Sequence, residues 1–192
     1  ARQLARAVRM RREASGSGGP CYPDTSVEAR SLTPDEFRDV ISHFASGVTV
    51  ITAVSESRPY GTTASAVTSL SLEPPMLLIC MNKQSETGRA VAASGHFGVN
   101  ILGAHQADLA ERFAQKGGDK FDGVTWAPGL GNAPMLADSV ANFQCRAANR
   151  YYGGDHIIFL GAVEAYTYNR QEPLLFARGG FGRFMADDGS KP

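Results

Sequence analysis

Apolar residues follow a helical spacing near residue 40 and a strand-like spacing through most of the later chain. Thr33 precedes Pro34, and Glu36 follows three residues after Thr33, which is the capping box expected at a helix start. Ser46-Gly47 is the predicted end of this helix. Its apolar face comprises the residues at i, i+3, i+4 and i+7: Phe37, Val40, Ile41 and Phe44.

Short apolar and β-branched runs after this helix predict a mainly β domain. Strands are predicted at residues 48–54, 62–71, 76–81, 97–102, 157–168 and 174–176, with a further β-rich run near Val140. A turn is predicted around Arg58-Pro59, and short helices at 86–93 and 105–115. Because few helices separate the strands, the pattern favours a closed or nearly closed antiparallel barrel with peripheral helices over a β-α-β sandwich.

The composition indicates one domain of ordinary globular type. The 192-residue chain is 43% hydrophobic and 20% charged, and it is long enough for a single core. No apolar run approaches the roughly 20 residues that cross a bilayer, and the formal net charge of zero gives no indication of nucleic-acid binding. The three cysteines lie far apart and the four histidines lack ligand spacing, so we expect neither a disulfide nor a metal site, and we expect a cytoplasmic location.

Residues 1–30 differ in character from the rest of the chain. They carry six arginines against three carboxylates and include the run Ser-Gly-Ser-Gly-Gly-Pro. We predict that they form a flexible basic extension ahead of a domain at residues 31–192. A targeting segment and an arm that wraps a second subunit are the alternatives.

Familiar nucleotide-binding and hydrolase signatures are missing from the sequence. The closest approach to a Rossmann fingerprint is Gly129-Leu-Gly131-Asn-Ala-Pro134, in which proline replaces the last glycine and no helix is predicted to follow. The sequence contains neither a P-loop nor a nucleophile elbow. If the chain binds a nucleotide, it does so with a different architecture.

The first segment with candidate chemistry is the hydroxyl-rich run from Gly61 to Pro75. Small residues and hydroxyls alternate along it, so a flat heterocycle could approach the backbone closely and meet hydrogen-bond donors. The part of the run with this composition includes Thr62, Thr63, Ala64, Ser65, Ala66, Val67 and Ser69. An ordinary edge strand with short side chains would have the same composition.

The second segment runs from Asn82 to Thr87, where a predicted strand ends and a short helix starts. Exposed N–H groups and the helix dipole favour a phosphate at such a place. Ser85 and Thr87 add hydroxyl donors and Lys83 adds a point charge, with Gln84 between them. A plain N-cap role for Ser85 would explain part of this pattern without any ligand.

The third segment is Gly153-Gly154-Asp155-His156, directly before an alternating strand. Two glycines before an Asp-His pair predict a tight turn that presents the imidazole of His156 at the mouth of the strand. A surface turn without chemistry is the alternative.

Taken together and in this order, the motifs resemble those of the flavin reductase-like family. The resemblance covers residues 34–185, nearly everything except the N-terminal extension. The motifs that carry it are Phe44-Ala-Ser-Gly-Val-Thr-Val50, the run 63–75, Asn82–Thr87, Phe97-Gly-Val-Asn-Ile-Leu102, Arg112-Phe113-Ala114, Gly154-Asp-His156 and Pro173-Leu-Leu-Phe176 with Gly180-Phe-Gly-Arg183.

The resemblance implies a flavin-binding split β-barrel, a Greek-key-like antiparallel barrel that forms homodimers with active sites near the subunit interface. It also implies the reductase component of a two-component flavin-dependent monooxygenase. Such an enzyme transfers a hydride from C4 of NADH, or of NADPH, to N5 of FAD, or of FMN. The reduced flavin then diffuses to a separate oxygenase, and neither nucleic acid nor a membrane is expected as a partner.

The resemblance also implies roles for individual residues. Residues 62–67 would line the isoalloxazine ring, with Ser65 facing its polar edge, and Ser69 is a further implied cofactor contact. Asn82, Lys83, Gln84, Ser85 and Thr87 would hold the ribityl and phosphate groups. The remaining implied cofactor contacts are Phe97, Gly98 and Asn100 near the flavin, and Asp155, His156, Phe181 and Arg183 near the nicotinamide. His156 is the candidate catalytic residue, as an orienting group, and Phe181 stands where many relatives have tyrosine.

Two other functions stay open at this point. A split-barrel flavoprotein with tightly held FMN, such as a pyridoxamine-phosphate-oxidase-like enzyme, would share the fold. A sensor that binds flavin or haem without catalysis would share it as well. The Gly-Asp-His turn favours the reductase.

Overall fold

The computed structural model describes residues 31–185, and the predictions for residues 1–30 lie outside this range. The described chain is mainly β with three peripheral α-helices, as expected: α1 (Pro34–Ile41), α2 (Glu86–Ser94) and α3 (Ala107–Ala114). Its strands are β1 (Ser46–Gly47), β2 (Thr49–Ser55), β3 (Arg58–Ala64), β4 (Val67–Leu72), β5 (Pro75–Asn82), β6 (His96–Ile101), β7 (Trp126–Pro128), β8 (Pro134–Leu136), β9 (Ala141–Gly153), β10 (His156–Tyr168), β11 (Leu174–Ala177) and β12 (Gly180–Arg183). A single 3-10 turn, Leu130–Asn132, precedes β8.

Seven strands form one antiparallel sheet that closes on itself. Their order is β3-β2-β6-β9-β10-β5-β4, so β3 and β4 are its two edges. These edge strands are consecutive in the chain and are joined by Ser65 and Ala66 alone. Two residues can link the edges only if the sheet curls until they meet, which is the geometry of a split barrel. A smaller sheet, β1-β11-β12, and the pair β7-β8 complete the architecture.

Strand β2 is buried on both faces because it separates two hydrophobic clusters. Its alternate residues Ile51 and Ala53 point into the barrel interior, together with Phe97 and Phe159. Val50, on the other face, packs in a second cluster with Leu102, Ala110, Phe113, Leu136 and Leu174. Helix α2 packs Ala90 and Val91 against the first cluster, and α3 packs against the second. The two clusters thereby hold α2 against one face of β2 and α3 against the other.

The structure corrects three predictions about individual elements. The first helix ends at Ile41, and Ser46-Gly47 forms strand β1, paired with β11. The run 62–71 is two strands, because the chain turns the barrel corner at Ser65 and Ala66. The turn predicted at Arg58-Pro59 lies at Glu56 and Ser57, whose φ values of 50° and 60° match a tight hairpin.

None of the helices between residues 31 and 185 has the length and apolar character needed to cross a bilayer. Among the same residues, no group of three or more His, Cys, Asp or Glu side chains is arranged to hold a metal ion.

Candidate functional site

The N-terminus of helix α2 is a preformed site for an anion. Ser85 is its N-cap, with extended backbone, and the Ser85 hydroxyl accepts a hydrogen bond of 3.2 Å from the Gly88 N–H. The Asn82 side chain accepts a bond of 2.9 Å from the Gln84 N–H and so shapes the turn before the helix. Thr87 lies in the first turn and is only 3% exposed. Free N–H groups and the helix dipole make this end electropositive.

A cleft of about 790 Å³ opens beside this helix end. Its walls come from the N-terminus of α2, from the start of β3 at residues 58–62, and from the loop 114–121 that follows α3. Of the residues predicted to bind a cofactor, the cleft lining brings together Thr62, Asn82, Gln84, Ser85 and Thr87. The volume lies within the range usual for cofactor sites.

Cations outnumber carboxylates on the walls of this cleft. Four basic side chains, Arg58, Arg89, Lys116 and Lys120, face two acidic ones, Glu86 and Asp119. The Arg89 guanidinium donates a hydrogen bond of 3.0 Å to the Gln84 carbonyl, which places it beside the turn before α2. The balance of charge favours a negatively charged ligand.

Lys120 is held at the base of the cleft by two backbone carbonyls. Its ammonium donates hydrogen bonds of 3.2 Å to the Gly61 carbonyl and 3.0 Å to the Phe113 carbonyl. Burial lowers the pKa of Lys120 from its ordinary value, and the Glu86 carboxylate partly offsets this effect. A bound anion would favour the charged amine and so act against the effect of burial.

The close packing of α3 against β3, next to Lys120, depends on Gly61. A Cβ atom at this position would lie 2.4 Å from a ring carbon of Phe113, much closer than real contacts allow. The Phe113 ring packs edge-to-face on Phe121, with centroids 5.0 Å apart. Gly61 therefore lets α3 and the following loop lie directly against β3, which forms one wall of the cleft.

The predicted tight turn before His156 is the two-residue end of a long hairpin. Gly153 pairs with His156 across β9 and β10, and Gly154 between them has a φ of 55°, which glycine adopts without steric cost. His156 Nδ1 lies 2.7 Å from the Asp155 carboxylate, with the side chains 44% and 81% exposed. Because a carboxylate can only accept, Nδ1 carries the proton. This hydrogen bond lowers the pKa of Asp155 from its ordinary value.

The second and third segments meet at the strand pair β5–β10. Asn82, the last residue of β5, is the register partner of His156. The Lys83 N–H donates a bond of 2.9 Å to the Asp155 carbonyl, and the Asn82 amide lies 3.4 Å from the Asp155 carboxylate. The Lys83 ammonium lies 5.8 Å from the centre of the Tyr152 ring, on the side of the hairpin. Lys83, the cation predicted for the phosphate site, is therefore not part of the cleft lining.

The hydroxyl-rich segment divides between structural and exposed positions. The Thr63 hydroxyl donates a bond of 2.6 Å to the Ala110 carbonyl of α3, and the Ala64 carbonyl accepts one from Thr49. Ser65 and Ala66 form the exposed barrel corner, where the Ala66 carbonyl accepts a bond from the Cys80 N–H. Val67 is half-buried and packs on the barrel core, and Ser69 is exposed on β4.

Three of the predicted flavin contacts lie inside the protein. Phe97 is fully buried in the barrel core. Gly98 leaves room for the Thr52 hydroxyl and the Met135 methyl group, which a Cβ atom would meet at 2.5 and 2.2 Å. Asn100 donates to the Val50 carbonyl at 2.9 Å, and its carbonyl accepts from the Leu136 N–H at 2.8 Å. These positions have packing roles, and the cofactor contacts that the resemblance implies for them stay a prediction.

Phe181 and Arg183 lie on β12, in the small sheet. Phe181 is 38% exposed and packs edge-to-face on Phe176, with ring centres 5.7 Å apart. Arg183 pairs in register with Leu174. Neither residue lines the cleft, so their predicted place near the nicotinamide stays a prediction.

Comparison with known proteins establishes the family. The profile described as "Flavin reductase like domain" matches residues 41–185. The chain belongs to this family. It is 45% identical over 154 residues to the reductase component of a 4-nitrophenol 4-monooxygenase/4-nitrocatechol 2-monooxygenase from Rhodococcus opacus, covering 80% of this chain and 83% of that protein. It is 41% identical over 158 residues to an NADH-dependent FAD reductase from Streptomyces globisporus, covering 79% and 86%.

Solved structures of the flavin reductase family share the fold. A nitrilotriacetate monooxygenase component B from Mycobacterium thermoresistibile superposes with a TM-score of 0.77 at 35% identity, covering 82% of this chain and 90% of that one. An NADH:FAD oxidoreductase from Streptomyces globisporus, in complex with NAD and FAD fragments, also has a TM-score of 0.77, at 39% identity, covering 83% and 99%. The predicted split barrel is confirmed.

Sequence reasoning missed the basic wall of the cleft. Arg58 and Tyr60 lie where a turn was expected, and Arg89 lies inside α2. The loop Lys116–Lys120 lies just beyond the helix predicted at 105–115, and no role was predicted for it. Two lysines that flank two glycines and an aspartate form a recognisable signal for an anion-binding loop, and this pattern could have been found from the sequence.

Proposed function

We propose that this chain is an NAD(P)H-dependent flavin reductase that reduces FAD or FMN and supplies the reduced flavin to a separate monooxygenase. Membership of the flavin reductase family and the reductase names of its relatives support this function over a tightly bound FMN oxidase or a sensor. The observation that carries the proposal in the structure is the cationic cleft at the N-terminus of α2.

The cleft fits a phosphorylated flavin. The α2 N–H groups, the hydroxyls of Ser85 and Thr87, and the Lys120 ammonium together offer donors and positive charge to a phosphate. Thr62 lines the same cleft from β3, on the side that leads to the barrel corner at Ser65. We place the phosphate at the helix end and the isoalloxazine ring along residues 62–67.

We place the nicotinamide at the hairpin that carries His156. The hydrogen bond to Asp155 fixes the His156 ring with its Nδ1 protonated and its Nε2 free to accept. The ring can therefore orient a polar group of the nicotinamide, such as its carboxamide, without moving a proton. Asn82 connects this position to the phosphate turn, because it is paired with His156 and also shapes the approach to α2.

The chain's own residues have little chemistry to perform. Flavin and nicotinamide supply the hydride chemistry when both are bound. The protein holds the two rings in contact, at fixed orientation, and its contribution to the rate comes from that alignment. We therefore assign no general base, and His156 acts as an orienting residue.

A homodimer is part of the proposal. Helix α1 has no buried residue, and its apolar stripe is exposed, with Phe37 at 57%, Val40 at 66% and Ile41 at 50%. An isolated helix of eight residues is marginal in water, so this one needs a covering surface to remain folded. A second copy of the chain would supply it. We also expect the enzyme to work in the cytoplasm, where NADH is generated.

Steady-state oxidation of NADH and NADPH with FAD, FMN and riboflavin in parallel tests the function. We expect turnover of NADH that depends on added flavin, and colourless protein after dialysis because the flavin is exchangeable. A protein that stays yellow and does not oxidise either nucleotide would contradict the proposal and favour the sensor.

A further inference from the structure

The cleft extends well beyond the residues assigned to the flavin phosphate. Its remaining wall comes from two segments that the function described above does not use: the first residues of β3, Arg58 to Tyr60, and the loop from Gln115 to Gly118. Both carry cationic side chains, Arg58 and Lys116. This part of the cleft is therefore shaped and charged for a further portion of an anionic ligand.

The start of β3 presents a stacked pair. The Arg58 guanidinium lies over the Tyr60 ring, 5.3 Å from its centre, and both side chains line the cleft. The hairpin turn at Glu56 and Ser57 reverses the chain just before this pair, so Arg58 is placed at the strand's first position. Guanidinium planes and tyrosine rings are surfaces on which purine bases stack.

The loop after α3 lines the same cleft as this pair. Gly117 and Gly118 both have φ values of 72°, with open space where a side chain would be. Successive backbone amides in such conformations form concave sites for anions. The Asp119 carboxylate accepts a hydrogen bond of 3.1 Å from the Phe121 N–H, so it is turned back on its own loop. Lys116 adds positive charge at the start of the same loop.

We propose that Arg58, Tyr60 and the loop Lys116–Gly118 bind the adenosine monophosphate half of FAD, so that this chain selects FAD over FMN. The proposal rests on the proposed function, since it needs the flavin phosphate at the N-terminus of α2. A nicotinamide dinucleotide carries the same adenylate group. The flavin is favoured because this wall is continuous with the phosphate site, whereas His156 does not line the cleft.

Single substitutions Arg58→Ala and Lys116→Ala test the proposal in the full chain, because both side chains are exposed. We expect each to raise the KM for FAD roughly tenfold, the equivalent of one lost stacking contact for Arg58 and one lost charge-assisted hydrogen bond for Lys116. The KM values for FMN, riboflavin and NADH should change less than about twofold, within the effect of an exposed charge. Arg170→Ala is the matched control, since Arg170 is also exposed but lies outside the cleft lining.

Inhibition by AMP separates the two sources of adenylate. We expect AMP to compete with FAD, and not with NADH or riboflavin. Competition with NADH instead, or a raised KM for NADH in the two variants, would assign the wall to the nicotinamide dinucleotide and overturn the proposal. Equal KM values for FAD and FMN in the unmodified chain would also overturn it while leaving the reductase function intact. Absence of turnover with every flavin would instead refute the proposed function.

Discussion

Asn82 and His156 lie directly opposite each other, one at the end of β5 and the other at the start of β10. The Asp155 carbonyl accepts the Lys83 N–H, which ties the hairpin to the turn that leads into α2. The proposed phosphate site and the proposed nicotinamide site are therefore connected through a few backbone and side-chain contacts. The effect of a substitution at either site can be measured separately, because flavin is proposed to bind at one and NADH at the other.

We expect His156→Ala to slow hydride transfer about a hundredfold, because the nicotinamide loses its orienting contact. The affinity for NADH should fall while that for flavin stays almost unchanged. Single-turnover reduction of flavin, followed at varied NADH, measures both quantities. His43→Ala is the control, since His43 is exposed on a different part of the chain.

A purely structural role for His156 would give a different result. Thermal stability would then drop, and the affinities for both substrates would fall together. An unchanged rate of hydride transfer and an unchanged NADH affinity in His156→Ala would show that the turn only connects two strands.

Replacing Ser85 by alanine together with Thr87 by valine should raise the KM for FAD and FMN at least tenfold. Two hydrogen bonds to a charged phosphate are lost, each worth about 1.5–3 kcal/mol. Riboflavin has no phosphate, so its KM serves as the internal control and should change little. The Ser85 cap also supports α2, and its loss should lower the free energy of unfolding by about 1 kcal/mol. Equal losses for riboflavin and FAD would show that the loop has a different role.

Asn100→Ala should reduce stability without a specific effect on flavin binding. The substitution leaves the buried Leu136 N–H and Val50 carbonyl without their side-chain partner. We expect the free energy of unfolding to fall by about 3 kcal/mol, measured by urea denaturation. A variant that keeps its stability but loses flavin affinity would restore the cofactor role that the resemblance implies for Asn100.

Light scattering should give twice the chain's mass of 20.5 kDa. Phe37→Glu together with Val40→Glu should yield the single-chain mass, because two carboxylates would have to be desolvated at the covered face of α1. Asp39→Lys, outside the apolar stripe of the same helix, is the control and should leave the mass unchanged. Deleting residues 1–30 should leave both dimerisation and turnover intact, and a loss of either would indicate that this segment contributes to the interface or to the site.

The Cys145 thiol should make stability fall at alkaline pH. Burial, aided by the Glu164 carboxylate, raises its pKa from 9.0 to about 12. A raised pKa means that the folded chain retains a proton that the unfolded chain loses above pH 9, so the stabilisation is complete below pH 9 and declines as pH rises. Between about pH 9 and 10.5 the free energy of unfolding of the unmodified chain should fall by about 2 kcal/mol more than that of Cys145→Ala. Urea unfolding at each pH measures this difference. The same pH dependence of stability in the unmodified chain and in Cys145→Ala would contradict the prediction.

Several features of the site could be predicted from the sequence because they depend on neighbours in the chain. The Ser85 cap could be predicted because a serine stands between a strand and a helix. Its hydroxyl accepts the N–H of Gly88, three residues later in the chain. The hairpin before His156 follows from Gly154, which accepts a positive φ. The spacing of short strands favoured an antiparallel barrel, and the resemblance of the motifs specified a split barrel, which the comparison with solved structures confirms.

The tertiary structure decided everything that depends on residues distant in the chain. Closure of the barrel bent the run 62–71 at Ser65, and it buried Phe97 and Asn100, for which the resemblance implies cofactor contacts. It also brought the loop at Lys120 against Gly61, 59 residues away, and so placed the cleft's basic wall. Local sequence sets caps and turns through short-range hydrogen bonds, whereas the side of a strand that faces a ligand is set by which distant strands pair beside it.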